Sequence, residues 1–329
     1  MTRFLVTGGC GFIGRNLLRQ LLRDPAARIR VIDDLSVGAR QDLAAIGDFT
    51  ELSRGDLGGD WPRLALIVGD IRDAALAQET CAGAETVVHL AANTGVAPSV
   101  SDPRSDCVTN VIGTFNYLEA CRLRQIRRFV FASSGAPVGE CEPPIHEELP
   151  AHPVSPYGAS KLAGEAYCSA YKRSFGIDTV ALRFGNCYGP YSSHKSSVVA
   201  KFIREAFAGE TWVIHGDGGQ TRDFIFVDDI ASAVINAATA RDVGGEIFQI
   251  ATNRETTVRE LAESLAAVLA KAGIKVPPAR NDAPRIGDVR RNFSDTRKAR
   301  DRLGWVAQIP LAQGLERTVD WFLGTRPPR

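Results

Sequence analysis

Tyr157 and Lys161 stand four positions apart in the run Tyr157-Gly158-Ala159-Ser160-Lys161. On a helix such positions share one face, so the phenol and the ammonium project into the same space. A free phenol titrates near 10 and is a poor base at neutral pH. A cation about 4 Å away, at an effective dielectric of about 20, changes that balance by roughly 4 kcal/mol, or about three pK units. Many surface helices carry the same pair. What gives it chemical meaning here is a glycine-rich turn near the start of the chain, Gly8-Gly9-Cys10-Gly11-Phe12-Ile13-Gly14.

Gly8, Gly11 and Gly14 fall between an apolar strand, Phe4-Leu5-Val6, and a segment of helical periodicity from Phe12 to Arg23. Glycines there permit a tight turn and let backbone amides, including those of Phe12 and Ile13, approach a pyrophosphate at the helix N-terminus. The fingerprint needs an acid about 20 residues on, at the end of the second strand. Asp33 is there, with Asp34 beside it. The bland alternative is a turn after a strand. Two carboxylates would repel a 2′-phosphate, so the site is expected to take NAD rather than NADP. Beside Lys161 and an oxidised nicotinamide, Tyr157 is then expected to exchange protons near neutrality.

These groups need a scaffold. Strands are expected at Arg3 to Thr7, Ile29 to Ile32, Leu64 to Val68, Thr86 to Leu90, Phe129 to Ala132 and Thr179 to Arg183. Helices near Ala39 to Ile46, Ala74 to Thr80, Asp106 to Arg124 and Tyr157 to Phe175 alternate with them, and Asp48 to Arg63 reads as a loop or insertion. This alternation predicts an α/β fold with a parallel, doubly wound sheet. Further helices are expected at Ser197 to Ala208, Asp228 to Ala240, Val258 to Ala272, Asp295 to Leu303 and Leu311 to Leu323, with Trp212 to His215 strand-like. The expected division is a dinucleotide-binding domain over residues 1–176, to which strand 178–184 returns. A smaller C-terminal substrate-binding lobe over 185–329 interleaves with it and lies across the carboxyl ends of the strands.

The chain has 329 residues, net charge +1, 44% hydrophobic and 23% charged residues, which suits a folded soluble domain with no electrostatic footprint for nucleic acid. No apolar run nears the ~18 residues that span a bilayer, and no signal peptide is expected. Seven cysteines at wide spacings fit reduced thiols in a cytoplasmic protein. The histidines are scattered, so no metal site is expected.

Together these residues resemble the extended short-chain dehydrogenase/reductase family, and within it the nucleotide-sugar epimerases and dehydratases. The resemblance spans essentially the whole chain. It rests also on Gly69-Asp70-Ile71-Arg72-Asp73, His89-Leu90-Ala91-Ala92, Asn110-Val111-Ile112-Gly113-Thr114, Ser133-Ser134, Arg183-Phe184-Gly185-Asn186-Cys187-Tyr188-Gly189-Pro190, Gly216 to Phe224 and Arg285-Ile286-Gly287-Asp288. It implies a Rossmann-type fold and tightly held NAD. It also implies Asp70 and Ile71 at the adenine, Leu90, Ala91 and Ala92 beneath the nicotinamide half with Asn110 nearby, and Lys161 on the nicotinamide ribose. Ser134 matches the catalytic Ser/Thr that relays or orients the substrate proton. Asn186, Val199, Arg222, Arg285 and Asp288 match the nucleotide-sugar side, the two arginines clamping a diphosphate. Read without the family, Arg222 and Arg285 could equally be salt bridges between lobes, and Ser133-Ser134 a strand-end turn.

The shared first step in this family is loss of the sugar 4-hydroxyl proton to Tyr157 and of the C4 hydride to NAD. Dehydratases place Asp-Glu after the catalytic Ser/Thr and decarboxylases a Glu. This chain has Gly135-Ala136-Pro137, with Glu140 and Glu142 farther on. The resemblance therefore implies a 4-epimerase acting on UDP-sugars, the alternatives being a dehydratase, a decarboxylase, a 4-keto-sugar reductase or a catalytically silent NAD-binding regulator. Val138, Pro137 and Gly185 depart from the epimerase pattern and are expected to reshape the sugar pocket. Asn292, where epimerases restricted to small hexoses carry an aromatic, suggests room for N-acetylated sugars. His194 and Lys195 could face a carboxylate or be solvated loop charges. Family members commonly dimerise through the helix before Arg124 and the Tyr157 helix. Phe115, Leu118, Leu162 and Ala166 could serve a homodimer in that way or face the sheet as core.

Overall fold

The computed structural model describes residues 2–283 and 289–325; Arg285 and Asp288 lie outside the described residues. Seven strands come from the first part of the chain: β1 (Arg3–Thr7), β2 (Arg28–Asp33), β3 (Thr50–Glu51), β4 (Leu64–Val68), β5 (Thr86–His89), β6 (Arg128–Ser134) and β7 (Asp178–Phe184). An eighth, Glu246–Ile250, joins them to give the order Glu246–Ile250, β7, β6, β5, β1, β2, β4, β3. Every pairing in this sheet is parallel. Chain order reverses on either side of β1, which opens a crevice at the carboxyl ends of β1 and β5.

Apolar residues alternate across the strands with the period of two that a sheet covered on both faces requires. Phe4 and Val6 join Leu17, Leu18, Ile230 and Val234 on one face. Leu5 joins Leu76, Tyr117, Leu118 and Tyr171 on the other. A third core, with Phe202, Trp212, Leu265, Leu315 and Phe322, holds the C-terminal lobe together.

The helix Pro156–Phe175 shows why Tyr157 and Lys161 stand where they do. The Ser155 hydroxyl accepts from the Gly158 N–H at 3.1 Å, and Pro156 occupies the first turn, where its missing N–H costs nothing. Gly176 ends the helix at φ 74°. Gly164 lets it lie against β6: a Cβ there would stand 2.3 Å from the Phe131 ring. The close approach turns Lys161 and Glu165 inward, where both are buried.

Three expectations needed correction. The predicted helix Asp106 to Arg124 is a short helix Pro103–Cys107, a wider turn Val108–Ile112 with π-type bonding, and a helix Gly113–Leu123. Such a bulge often marks a functional site, and here it carries Asn110. The supposed loop at Asp48 to Arg63 contains the edge strand β3. Glu246–Ile250, unrecognised in the sequence, completes the sheet beside β7.

Candidate active site

The glycine turn has the shape a dinucleotide requires. Gly8 sits at φ 71°, in the left-handed region, and donates to the Ile32 carbonyl at 2.8 Å. A Cβ on Gly8 would stand 2.8 Å from the Ala91 nitrogen, and one on Gly14 would stand 2.4 Å from the Gly8 oxygen. A side chain at either position would strike neighbouring backbone and open the tight turn.

Asp33 organises this turn from the end of β2. Its carboxylate accepts from the Cys10 N–H at 2.9 Å and the Leu35 N–H at 3.0 Å. Burial pushes the carboxyl up, and these N–H groups oppose the shift. Asp34 is exposed and accepts from the Ser36 hydroxyl at 2.6 Å. Asp70 is paired with Arg72, whose guanidinium holds the carboxyl below the usual carboxylate range. Gly8, Gly11, Phe12, Ile13, Gly14, Asp33, Asp34, Asp70, Ile71, Leu90, Ala91 and Ala92 all line one cavity of about 310 Å³. The residues present therefore fit NAD. The Asn110 amide stands behind this lining: it accepts from the Asn93 N–H at 2.8 Å and donates to Asp106 at 3.0 Å and Ser160 at 3.1 Å. Its visible work is to tie the loop after β5 to the Tyr157 helix.

Ser134, Tyr157 and Lys161 gather at the end of β6. Ser134 hydrogen-bonds the Tyr157 phenol. The Lys161 ammonium donates to the Ala132 carbonyl at 2.8 Å, and Ala132 also lines the cavity. Burial pushes Lys161 down to about 8, with Asp106 and Glu165 acting the other way. The protein's own groups, without a nicotinamide, push the phenol up. Burial raises it first, the Ser134 hydrogen bond lowers it, and the Asp106 carboxylate raises it further. Lys161 lies 5.8 Å from the ring centre and does not offset desolvation. Protein groups alone therefore leave the phenol protonated at neutrality. His89, buried and pushed down to about 3 by desolvation, bridges the Thr7 and Thr114 hydroxyls at 2.9 and 3.2 Å as a neutral spacer.

A second cavity, of about 330 Å³, brings Asn186, Val199 and Arg222 together from the C-terminal lobe. Arg222 donates through Nη1 to the Thr221 and Val289 carbonyls at 2.6 and 2.7 Å. Glu142 stands in solvent, 93% exposed and 3.7 Å from Arg291. Glu140 is also exposed. At Gly185 a Cβ would meet the Asp223 oxygen at 3.1 Å and the Ala251 Cβ at 3.2 Å, so the position is closely packed. Val138 is buried and lies outside both linings.

Sequence reasoning passed over several residues of the site. Asp106 and Glu165 are buried carboxylates whose charge acts on Lys161. Their signal was faint, one helical turn before Asn110 and one after Lys161. His194 and Lys195 line the dinucleotide cavity. Among the described residues no three His, Cys, Asp or Glu side chains could hold a metal ion, and no helix is long and apolar enough to cross a membrane.

Residues 4–251 match the family model described as the NAD dependent epimerase/dehydratase family. A UDP-glucose 4-epimerase of Mycolicibacterium smegmatis is 37% identical over 325 residues, 97% of this chain and 98% of that protein. A dTDP-glucose 4,6-dehydratase of Streptomyces niveus is 32% identical, over 98% of this chain and 94% of that protein. The crystal structure of UDP-glucose 4-epimerase with UDP-glucose from Thermotoga maritima superimposes with a TM-score of 0.86 at 34% identity, covering 98% of this chain and 99% of that one.

Proposed function

Since the chain belongs to the NAD-dependent epimerase/dehydratase family, we propose that it is a 4-epimerase of UDP-hexoses. The observation that carries this reading lies just after Ser134. Gly135-Ala136-Pro137 offers no acid, and Glu140 and Glu142 face solvent. Elimination of water needs a proton donor at the leaving hydroxyl. Epimerisation at C4 needs none beyond the group that exchanges the 4-hydroxyl proton.

Bound NAD supplies a hydride acceptor that can return what it takes. The chain's own residues do the rest. Ser134 orients the sugar 4-hydroxyl toward Tyr157, whose phenolate oxygen takes the proton. Positive charge from Lys161 and the oxidised nicotinamide stabilises that phenolate against the cost of burial. Lys161 also serves the nicotinamide ribose. Arg222 and Asn186, with Arg285 and Asp288, hold nucleotide and diphosphate. The flat 4-keto sugar then turns about its diphosphate linkage and is reduced on its other face, with Tyr157 giving back the proton. Gly135 itself has open space beside it: a Cβ there would find no heavy atom within 4 Å outside its chain neighbours. Asn292 is half-buried with its backbone N–H on the Thr221 hydroxyl at 3.2 Å, and its short side chain is what suggests tolerance of an N-acetyl group.

The protein is a homodimer in this reading. Ile112, Tyr167 and Phe175 are exposed on the turn and helix expected to pair. Phe115 packs edgewise on Tyr167 beneath them, its ring 5.6 Å away. Leu118 is fully buried and belongs to the core.

Incubation of UDP-glucose without added cofactor, followed by NMR and mass spectrometry, tests the activity. The expected product is the galactose epimer at unchanged mass. A product lighter by one water would establish the dehydratase instead.

A further inference from the structure

The loop after Pro190 belongs to the C-terminal half but reaches the dinucleotide cavity. It is clamped to the first helix, Phe12–Leu21, by two side chains. Asn16 donates to the Pro190 carbonyl at 3.1 Å, and Arg15 donates to the Tyr191 carbonyl at 3.1 Å while stacking 4.7 Å above the Tyr191 ring. Tyr191 is held at φ 69°, a conformation bulky residues rarely adopt, so the surroundings over-determine it. Beyond it the backbone doubles back. The Ser192 hydroxyl donates to the Gly189 carbonyl at 2.6 Å, and the Lys195 N–H donates to the Ser192 carbonyl at 2.9 Å.

This arrangement aims Lys195 into the cavity formed by the glycine turn, where its ammonium rests 3.5 Å from the Thr94 hydroxyl. Of the described arginines and lysines lining that cavity, Arg72 is paired with Asp70, whereas Lys195 has no carboxylate at ion-pair distance among the described residues. Burial pushes its ammonium down, as expected of a cation without a counter-ion. A dinucleotide bound at the helix N-terminus that the same loop is clamped against would bring its diphosphate into this cavity.

We propose that Lys195 binds the cofactor diphosphate, so that the C-terminal lobe closes the dinucleotide site and retards release of NAD. The inference rests on the NAD assignment, and is independent of the choice between epimerase and dehydratase.

The test compares the full-length wild type with Lys195→Gln and Lys195→Arg, each freed of co-purifying nucleotide, by calorimetry with NAD, ADP-ribose, adenosine and UDP. Lys195→Gln should weaken NAD and ADP-ribose alike, by about tenfold or more, as loss of one charge-assisted contact implies. Adenosine and UDP should bind unchanged, and Lys195→Arg should stay near wild type. NAD should also wash out faster from the Gln variant on dialysis. Unchanged ADP-ribose affinity, or weakened UDP with NAD unaffected, would overturn the proposal. Should Lys195→Gln fail to fold, Lys195→Met is read the same way. A wrong sugar reaction would alter the products of turnover and leave all these constants untouched.

Discussion

Lys161 donates its ammonium to the Ala132 carbonyl at 2.8 Å and stands 5.8 Å from the centre of the Tyr157 ring, too far to offset the burial of the phenol. Phenolate must therefore be created by adding positive charge, which the oxidised cofactor brings. Activity is expected to fall on the acid side as Tyr157 takes up its proton. It should fall again on the alkaline side as Lys161, pushed down to about 8, loses its charge. Lys161→Met should move the acid limb of kcat upward and remove the alkaline one. Tyr157→Phe should retain bound NAD and lose about 10²–10⁴ in kcat. A pH series of kcat with quantified nucleotide content checks all three, and undiminished turnover in Tyr157→Phe would refute its role.

Glu140 and Glu142 provide the test against elimination chemistry. Both face solvent, and Glu142 is engaged with Arg291. Glu140→Gln and Glu142→Gln should each leave kcat within about twofold, as a surface change away from the reacting atoms predicts. If either carboxyl were the missing acid, its loss would cost about 10²-fold or more.

Arg222 is oriented by two carbonyls in the second cavity. Arg222→Ala should raise KM for the UDP-sugar by about 10–100-fold, the worth of a lost guanidinium–phosphate contact. NAD content should not change, because Arg222 is absent from the lining of the dinucleotide cavity. Arg222→Lys should recover part of the loss only, since an ammonium lacks the fork.

Glu165 accepts from Arg183 through both oxygens, each at 2.8 Å, and from the Ser133 hydroxyl at 2.6 Å, all within the core. Glu165→Ala would strand a guanidinium that is 2% exposed. The expected loss is about 3–5 kcal/mol of unfolding free energy, read from the shift of a urea midpoint.

Tyr167 is 39% exposed, its ring 5.6 Å from Phe115 and 6.3 Å from Tyr171. Tyr167→Glu places a charge at the centre of the proposed subunit contact. Sedimentation should show a dimer for the wild type and a monomer for the variant, with the fold unchanged by circular dichroism.

Local patterns that answer to one physical cause were legible beforehand. Gly8, Gly11 and Gly14, with Asp33 closing the turn, could be read because a Cβ on Gly8 or Gly14 would strike neighbouring backbone, so only glycine fits there. The Tyr157 helix is expected over Tyr157 to Phe175, and Ser155 and Gly176 close it at those ends. What escaped depended on distant partners. Glu246–Ile250 carries too short a pattern to announce itself, and becomes a strand because β7 offers an open edge. Lys195 looks like any loop cation until Arg15 and Asn16 fix the loop above the cavity. That burial raises Tyr157 before the nicotinamide's charge is added was not legible, because desolvation depends on everything packed around the ring, whereas an i, i+4 spacing reports one neighbour.

Strand Glu246–Ile250 also sets an order of assembly. While the chain is being synthesised, β7 is complete some sixty residues before its parallel neighbour exists, and until then its outer row of N–H and C=O groups has no native partner. Pairing between such distant segments is slow to form. A nascent polypeptide halted anywhere between residues 185 and 245 would therefore display a raw sheet edge to its neighbours, making that interval the stretch most in need of a chaperone.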